Sequence, residues 1–261
     1  MRAKLAELFR YRELLHRLTW REIRIKYKQS IMGLLWAVLM PMVIVLAGLL
    51  VRLAMSRLSG EPFSAREVAA ISVKAVPWAF FVASLRFCTS SLIANSNLVT
   101  RIYFPKEIFP LAAVGSQLLD LLVASGVLTL VLLVLRVGAS VHLLWVPLLL
   151  AILIVLAAGL GIFLSAASLF FRDVKYLVEV FLTFAIFFTP VFYEVELFGR
   201  WAPLLLLNPV APLLEGLHAT VVEHQPPPLA WVGYSLAVAL VVLVGAWTFF
   251  KRAEPAFAES I

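Results

Sequence analysis

The 261-residue chain has a single cysteine, Cys88, so it forms no internal disulfide and no cysteine-based zinc site. Charge is scarce: 14% of the residues are charged, against about 25% in a soluble domain. No G-x-x-x-x-G-K-[ST] loop occurs, so the chain lacks that device for cradling ATP. There is no H-E-x-x-H, no G-x-S-x-G and no cluster with metal-ligand spacing. His16, His142, His218 and His224 are scattered, and each reads as interfacial or solvated rather than catalytic. No internal repeat and no low-complexity tract is present. These absences point to a passage or a scaffold, not a catalyst.

What is abundant is apolar surface. Apolar residues make up 63% of the chain, and the mean hydropathy is +1.00; a soluble domain carries about 45–50% apolar residues. A water-solvated core cannot absorb that excess, so a bilayer must solvate most of the chain. A soluble enzyme, a secreted disulfide scaffold and a disordered protein are thereby excluded. A helical span needs about 20 apolar residues. Six segments meet or approach this: 31–52, 69–94, 108–135, 143–171, 176–193 and 229–250. The fifth is the weakest, since Val180 to Val191 is uncharged but short and the span must take in Glu179. Trp201 to Leu214 is apolar but broken by Pro203, Pro209 and Pro212, which fits a re-entrant or interfacial hairpin over 194–222 better than a span. The expected fold is an all-α polytopic membrane protein with six spans.

Basic residues set the orientation. The first 30 residues hold nine Lys/Arg and no apolar run of signal-peptide length, so they are expected to stay with the mature protein. Adding Arg101, Lys106, Arg172, Lys175, Lys251 and Arg252 places fifteen on one side. The opposite loops hold five: Arg52, Arg57, Arg66, Arg136 and Arg200. Both termini are therefore expected in the cytoplasm, with 251–261 as a cytoplasmic tail. Residues 1–30 read as an amphipathic interfacial helix: Leu8, Tyr11, Leu14, Leu15 and Leu18 fall on one arc, with Arg2, Arg10, Arg17, Arg21 and Arg24 opposite. Such a helix anchors topology, or also shapes lateral access for an anionic lipid-linked substrate.

Charges within spans carry the most information, because each costs about 2.5–3.5 kcal/mol at mid-bilayer on insertion scales. Arg86 and Asp120 lie at similar depths and are expected to pair, or Arg86 faces a hydrated pathway. Lys74, near the outer end of its span, is expected to snorkel. Aromatic rings are dense in spans two and five, including Trp78, Phe81, Phe184, Phe188 and Tyr193. They suit lipid packing or a glycan conduit. The cytoplasmic loop 95–110, NSNLVTRIYFPKEIFP, is longer and more aromatic than a simple connector needs. It reads as a short helix that docks into a partner protein.

The run Trp20 to Pro41, WREIRIKYKQSIMGLLWAVLMP, resembles the start of ABC transporter permeases that export polysaccharides, the membrane subunits of O-antigen and teichoic-acid exporters. RIYFPKEIFPLA at 101–112, FRDV at 171–174, Asn208-Pro209 and the tail EPAFAESI agree, although Glu259 stands where Asp is expected. The resemblance covers nearly the whole chain. It implies a homodimer in the bacterial inner membrane that works with two copies of a P-loop ATPase, so ATP and Mg are bound by that partner and no cofactor by this chain. It implies a lipid-linked polysaccharide as substrate, a glycan on polyprenyl pyrophosphate.

The resemblance further makes 95–109 a coupling loop that meets the ATPase through Arg101, Tyr103, Phe104, Lys106 and Glu107. It makes 194–222 a pair of short external gate helices around Asn208 and Pro209. On this reading Arg21, Arg24, Lys26 and Lys28 attract the pyrophosphate, and Arg86, Trp78, Phe81, Phe184, Phe188 and Tyr193 line the channel. Two other classes stay open: a small-molecule or drug exporter of the same broad fold, and a membrane-embedded transferase acting on polyprenyl lipids. The transferase would need Asp/His clusters at the membrane face for metal-pyrophosphate chemistry, and the sequence holds none.

Overall fold

A computed structural model describes residues 10–28, 30, 32–59, 64–101 and 104–257. Ten α-helices occur among them, with no strand. They are α1 (Arg12–Tyr27), α2 (Leu35–Ser59), α3 (Ala65–Ala94), α4 (Ser96–Arg101), α5 (Ile108–Val134), α6 (Val146–Phe170), α7 (Val174–Ala185), α8 (Ala202–Leu206), α9 (Ala211–Val221) and α10 (Leu229–Ala253). Five helical segments are long and apolar enough to cross a membrane: Leu35–Ala54, Ala65–Ala94, Ile108–Val134, Val141–Phe170 and Leu229–Ala256. The segment expected as a span over 176–193 is helical only to Ala185 and continues in turns. At twelve residues, α7 is about 18 Å long, short of the ~30 Å hydrocarbon layer. Pro190 cannot extend it, and the chain turns there, with Val191 N–H donating to the Thr189 carbonyl at 2.7 Å.

Local chemistry sets the helix boundaries. A capping box starts α3: Ser64 Oγ accepts from Glu67 N–H (3.3 Å), and Glu67 Oε2 accepts from Ser64 N–H (3.1 Å). Prolines open the first turns of α6, α8 and α9, where a missing N–H costs nothing. Gly138 turns the chain between α5 and α6 at φ 84°, a left-handed conformation that favours glycine.

The hub is α3. It packs against α2, α5, α6, α7 and α9, and its N-terminal half is buried continuously from Ala69 to Trp78. Small polar side chains stitch it to its neighbours in place of water. Ser168 Oγ of α6 donates to the Thr89 carbonyl, and Cys88 Sγ donates to the Pro110 carbonyl of α5 at 3.2 Å. Two apolar clusters fill the body. One gathers α3, α6 and α9 around Leu149, Leu153, Leu213 and Leu214. The other, at the α4 end, joins Leu18 of α1, Val99 of α4, Phe104, Ile108 and Phe109, and Phe250 and Phe257 of the C-terminal end.

Among the described residues α6 and α10 are in extensive contact, and Gly159 permits their close approach. A Cβ at Gly159 would lie 2.9 Å from the Leu243 backbone, so even alanine forces the helices apart. A Cβ at Gly245, by contrast, meets open space. Gly159→Ala should cost about 1–3 kcal/mol through overpacking, whereas Gly245→Ala is neutral or stabilising. Thermal unfolding of the two variants in detergent checks this, and equal midpoints would contradict the close approach.

Candidate functional site

Between α2, α3, α5 and α7 lies an open cavity of about 470 Å³. Its wall is mostly apolar, with Trp36, Trp78, Phe80 and Phe87 supplying rings and Lys26, Arg86, Gln117, Asp120 and Thr183 supplying polar groups. Each helix contributes because its neighbours hold it there: α3 is fixed by its packing, and α7 lies along it through Leu182, which is buried.

Two ion pairs border this space, and they differ from the expected Arg86–Asp120 pair. Arg86 Nε lies 3.0 Å from Glu179 Oε2 of α7. Asp120 instead takes Lys26 and the Tyr27 hydroxyl, both at the end of α1, while Lys26 Nζ also donates to Gln117 Oε1 at 3.0 Å. The correction has a physical reason. The α1 helix runs alongside α5, with Thr19 against Gly115, which carries Lys26 and Tyr27 to Asp120 and leaves Arg86 to the nearer carboxylate on α7. Burial first, and then the Asp120 carboxylate, raises the Tyr27 phenol above its usual range, so it remains a donor. The Arg86–Glu179 pair is open: the two side chains are 40% and 45% exposed. Arg86 lies eight residues before the end of α3, about 12 Å along the axis.

Of the residues expected to line a channel, only Trp78 and Arg86 border the cavity. Phe81 is buried behind Trp78, their ring centroids 5.9 Å apart. Phe184 and Phe188 face outward, 57% and 69% exposed. Tyr193 lies beyond α7, its ring 5.1 Å from Phe198 and its hydroxyl donating to the Phe187 carbonyl at 3.0 Å.

The four expected pyrophosphate-attracting residues also divide. Arg24 and Lys28 are exposed, Arg24 stacking over Trp20 at 5.6 Å. Lys26 is committed to Asp120, and Arg21 to Glu22 (2.9 Å) and Asn95 Oδ1.

In the 95–109 segment, Phe104 is buried against Phe109, centroids 5.4 Å apart. Lys106 is half-buried and lies over the Phe257 ring at 5.8 Å. Glu107 is 1% exposed and pairs with Lys251 Nζ at 2.8 Å, and the same ammonium meets Glu254 at 3.0 Å. Its carboxylate therefore turns inward and ties the start of α5 to the end of α10. Tyr103 and the side chain of Arg101 lie outside the described residues.

At the far end, Asn208 forms a turn. Its Oδ1 accepts from Val210 N–H (3.1 Å), its Nδ2 donates to Thr189 Oγ1 (2.9 Å), and Pro209 follows it. Lys74 does not snorkel. It is 1% exposed, and its Nζ donates to Glu215 Oε1 (3.1 Å) and to the Tyr193 carbonyl (2.8 Å). Reading the sequence missed Glu215, His218, Lys251 and the pairing of Glu179. A lysine within a span does signal a buried counter-ion, but not which carboxylate supplies it.

The Glu107–Lys251 pair yields a pH test. Burial raises the Glu107 carboxyl above its ordinary 4.5, opposed by Lys251. Lys251→Met strands that carboxylate, a loss of about 3–5 kcal/mol for breaking a buried pair, whereas Glu107→Gln removes the buried charge itself and costs less. A raised folded-state pKa means the neutral form suits the fold. The Lys251→Met deficit should therefore be full above that pKa and fade as pH falls through it. Unfolding midpoints of both variants at two pH values check the order and the sign.

Comparison with known proteins agrees with this architecture. Residues 13–222 match the family model described as ABC-2 type transporter. A relative from Myxococcus xanthus, "O-antigen export system permease protein RfbA", is 27% identical over 260 residues, covering 98% of each chain. A protein of the same description from Klebsiella pneumoniae is 24% identical over 216 residues, covering 82% of this chain and 81% of its own. With the family model spanning most of the sequence, the long apolar helices packed around α3 are those of a membrane permease, and the chain belongs to the ABC-2 type transporter family.

Proposed function

We propose that this chain is the membrane subunit of an ATP-driven exporter that moves a lipid-linked polysaccharide, a glycan on polyprenyl pyrophosphate, out across the bacterial inner membrane. The observation that carries this reading is the exposed Arg86–Glu179 pair within the apolar body. Two charges at that depth are costly against lipid, and a hydrated, sugar-compatible passage accommodates them. The outward-facing Phe184 lies on the same α7 and Phe188 in the turns that follow it, which supports a passage closed by a second copy and lined by aromatic rings. Both relatives are described as O-antigen export permeases, which supports a glycan cargo.

In this reading six segments cross, with α7 and the turns that follow it completing the fifth, and both termini are cytoplasmic. The partner ATPase binds nucleotide and Mg and engages the 95–109 segment, with α4 at its face. Since Phe104 and Glu107 are buried there, they brace the coupling surface against α10, and contact falls to the exposed remainder. Arg24 and Lys28, exposed on α1 and just after it, attract the pyrophosphate. Lys26 holds α1 to Asp120.

A tagged pull-down from native membranes should recover a P-loop ATPase at equal copy number. Loss of the chain should strand lipid-linked glycan on the inner face. If the protein emerges alone under gentle detergent, the exporter reading fails. One observation favours a second reading, a small-molecule exporter: about 470 Å³ of mostly apolar cavity is the size of a drug-like ligand site. Transport of an apolar dye with no effect on glycan export would establish it.

The ion pair gives a sharper test. Arg86→Met should lower export about tenfold, a barrier change of ~1.4 kcal/mol, and Arg86→Glu with Glu179→Arg should recover part of it. Export assayed at matched membrane levels decides the matter, and an unaltered rate in Arg86→Met removes the pair from the pathway.

A further inference from the structure

The connection from 194 to 222 divides into two halves of opposite character. In the second half, nine of the eleven residues of α9 are buried, Glu215 and His218 among them. Lys74 Nζ from α3 reaches Glu215 Oε1 at 3.1 Å, and His218 Nδ1 lies 3.8 Å from the other carboxylate oxygen. Gly216 brings α9 so near α6 that a Cβ there would lie 3.2 Å from the Leu149 methyls and 3.3 Å from Pro227. In the first half, Val195 alone is buried through Leu206. Leu197, Phe198, Trp201 and Leu204 are exposed. Gly199 adopts φ 49° with open space around it, a bend that favours glycine. The end of this half is tethered by Tyr234 Oη donating to the Leu207 carbonyl at 2.8 Å and by the Asn208 turn.

We propose that α9 is a fixed part of the helical body, clamped by Lys74 and Glu215, and that the Val195–Leu206 half alone swings when the exit opens, bending at Gly199 and tethered at Asn208. The argument is energetic. Moving α9 separates a buried ammonium from its carboxylate and leaves both uncompensated, the costly way to treat a buried pair. Moving Val195–Leu206 displaces side chains that, Val195 apart, are exposed or half-buried, and breaks no ion pair among the described residues. Lys74 and Glu215 are thus positioning residues: they hold a wall against which the other half closes. The inference rests on the exporter reading above, in which this connection closes the outer exit.

Hydrogen–deuterium exchange on the full complex with its ATPase in lipid nanodiscs tests it, nucleotide-free against a non-hydrolysable ATP analogue. The expected result is a change over 195–206 with 211–221 equally protected in both states. Nucleotide-dependent exchange in 211–221 overturns the inference. So does a change at the 95–109 segment with none at 195–206, and in that case the exporter reading survives. No change at 95–109 defeats the exporter reading itself, and the inference with it. The clamp is tested separately. Lys74→Met should speed exchange over 211–221 by about tenfold or more, as local opening becomes easier, and leave 195–206 unaltered. Lys74→Met with Glu215→Gln, which removes both charges, should restore most of the protection. Unaltered exchange over 211–221 in Lys74→Met, or no recovery in the double variant, overturns the clamp.

Discussion

Four basic side chains within or beside the apolar helices each meet a carboxylate from a distant segment of the chain. Lys26 at the end of α1 meets Asp120 of α5, and Lys74 of α3 meets Glu215 of α9. Arg86 of α3 meets Glu179 of α7, and Lys251 of α10 meets Glu107 before α5. Where water is absent, an unpaired charge is far costlier than any single apolar contact. A helix arrangement that breaks one of these pairs must find another partner for each half. Apolar packing tolerates sliding and repacking; ion pairs in such surroundings do not. The four pairs therefore act as register marks on helices that are otherwise uniformly greasy.

The marks divide the molecule by exposure. The Lys74 and Glu107 pairs are sealed, so they hold elements together: α9 to the hub at one end, the last helix to the 95–109 segment at the other. The Arg86–Glu179 pair is open, and the Lys26–Asp120 pair borders the cavity. Rigid attachment and contact with the cavity thus fall to different pairs. The hub helix α3 carries one of each kind, Lys74 and Arg86, twelve residues apart.

The α4 end is braced from three sides. Leu18 of α1, Phe104 and Phe109 around the start of α5, and Phe250 and Phe257 at the C-terminal end share one apolar cluster. Arg21 adds a hydrogen bond to Asn95, where α3 gives way to α4. A force applied at α4 therefore reaches α1, α5 and α10 together, because close-packed interiors transmit displacement rather than absorb it.

The sequence by itself determined the solvent, the helical class and most of the long apolar helices. These follow from composition and from apolar runs that a chain position alone expresses, and the long helices begin near where those runs do. It also determined the family, because WREIRIKYKQSIMGLLWAVLMP and RIYFPKEIFPLA are contiguous strings. Only the tertiary structure decided which charge answers which. Arg86 and Asp120 look like partners at equal depth along their own spans, yet depth says nothing of the angle around a helix axis or of which helix is adjacent. Lys74 and Glu215 are 141 residues apart, and Lys251 and Glu107 are 144 apart. No local pattern encodes either pairing. The same reason hid the inward turn of Glu107, exposed-looking among FPKEIF until α10 is seen to bring Lys251 against it.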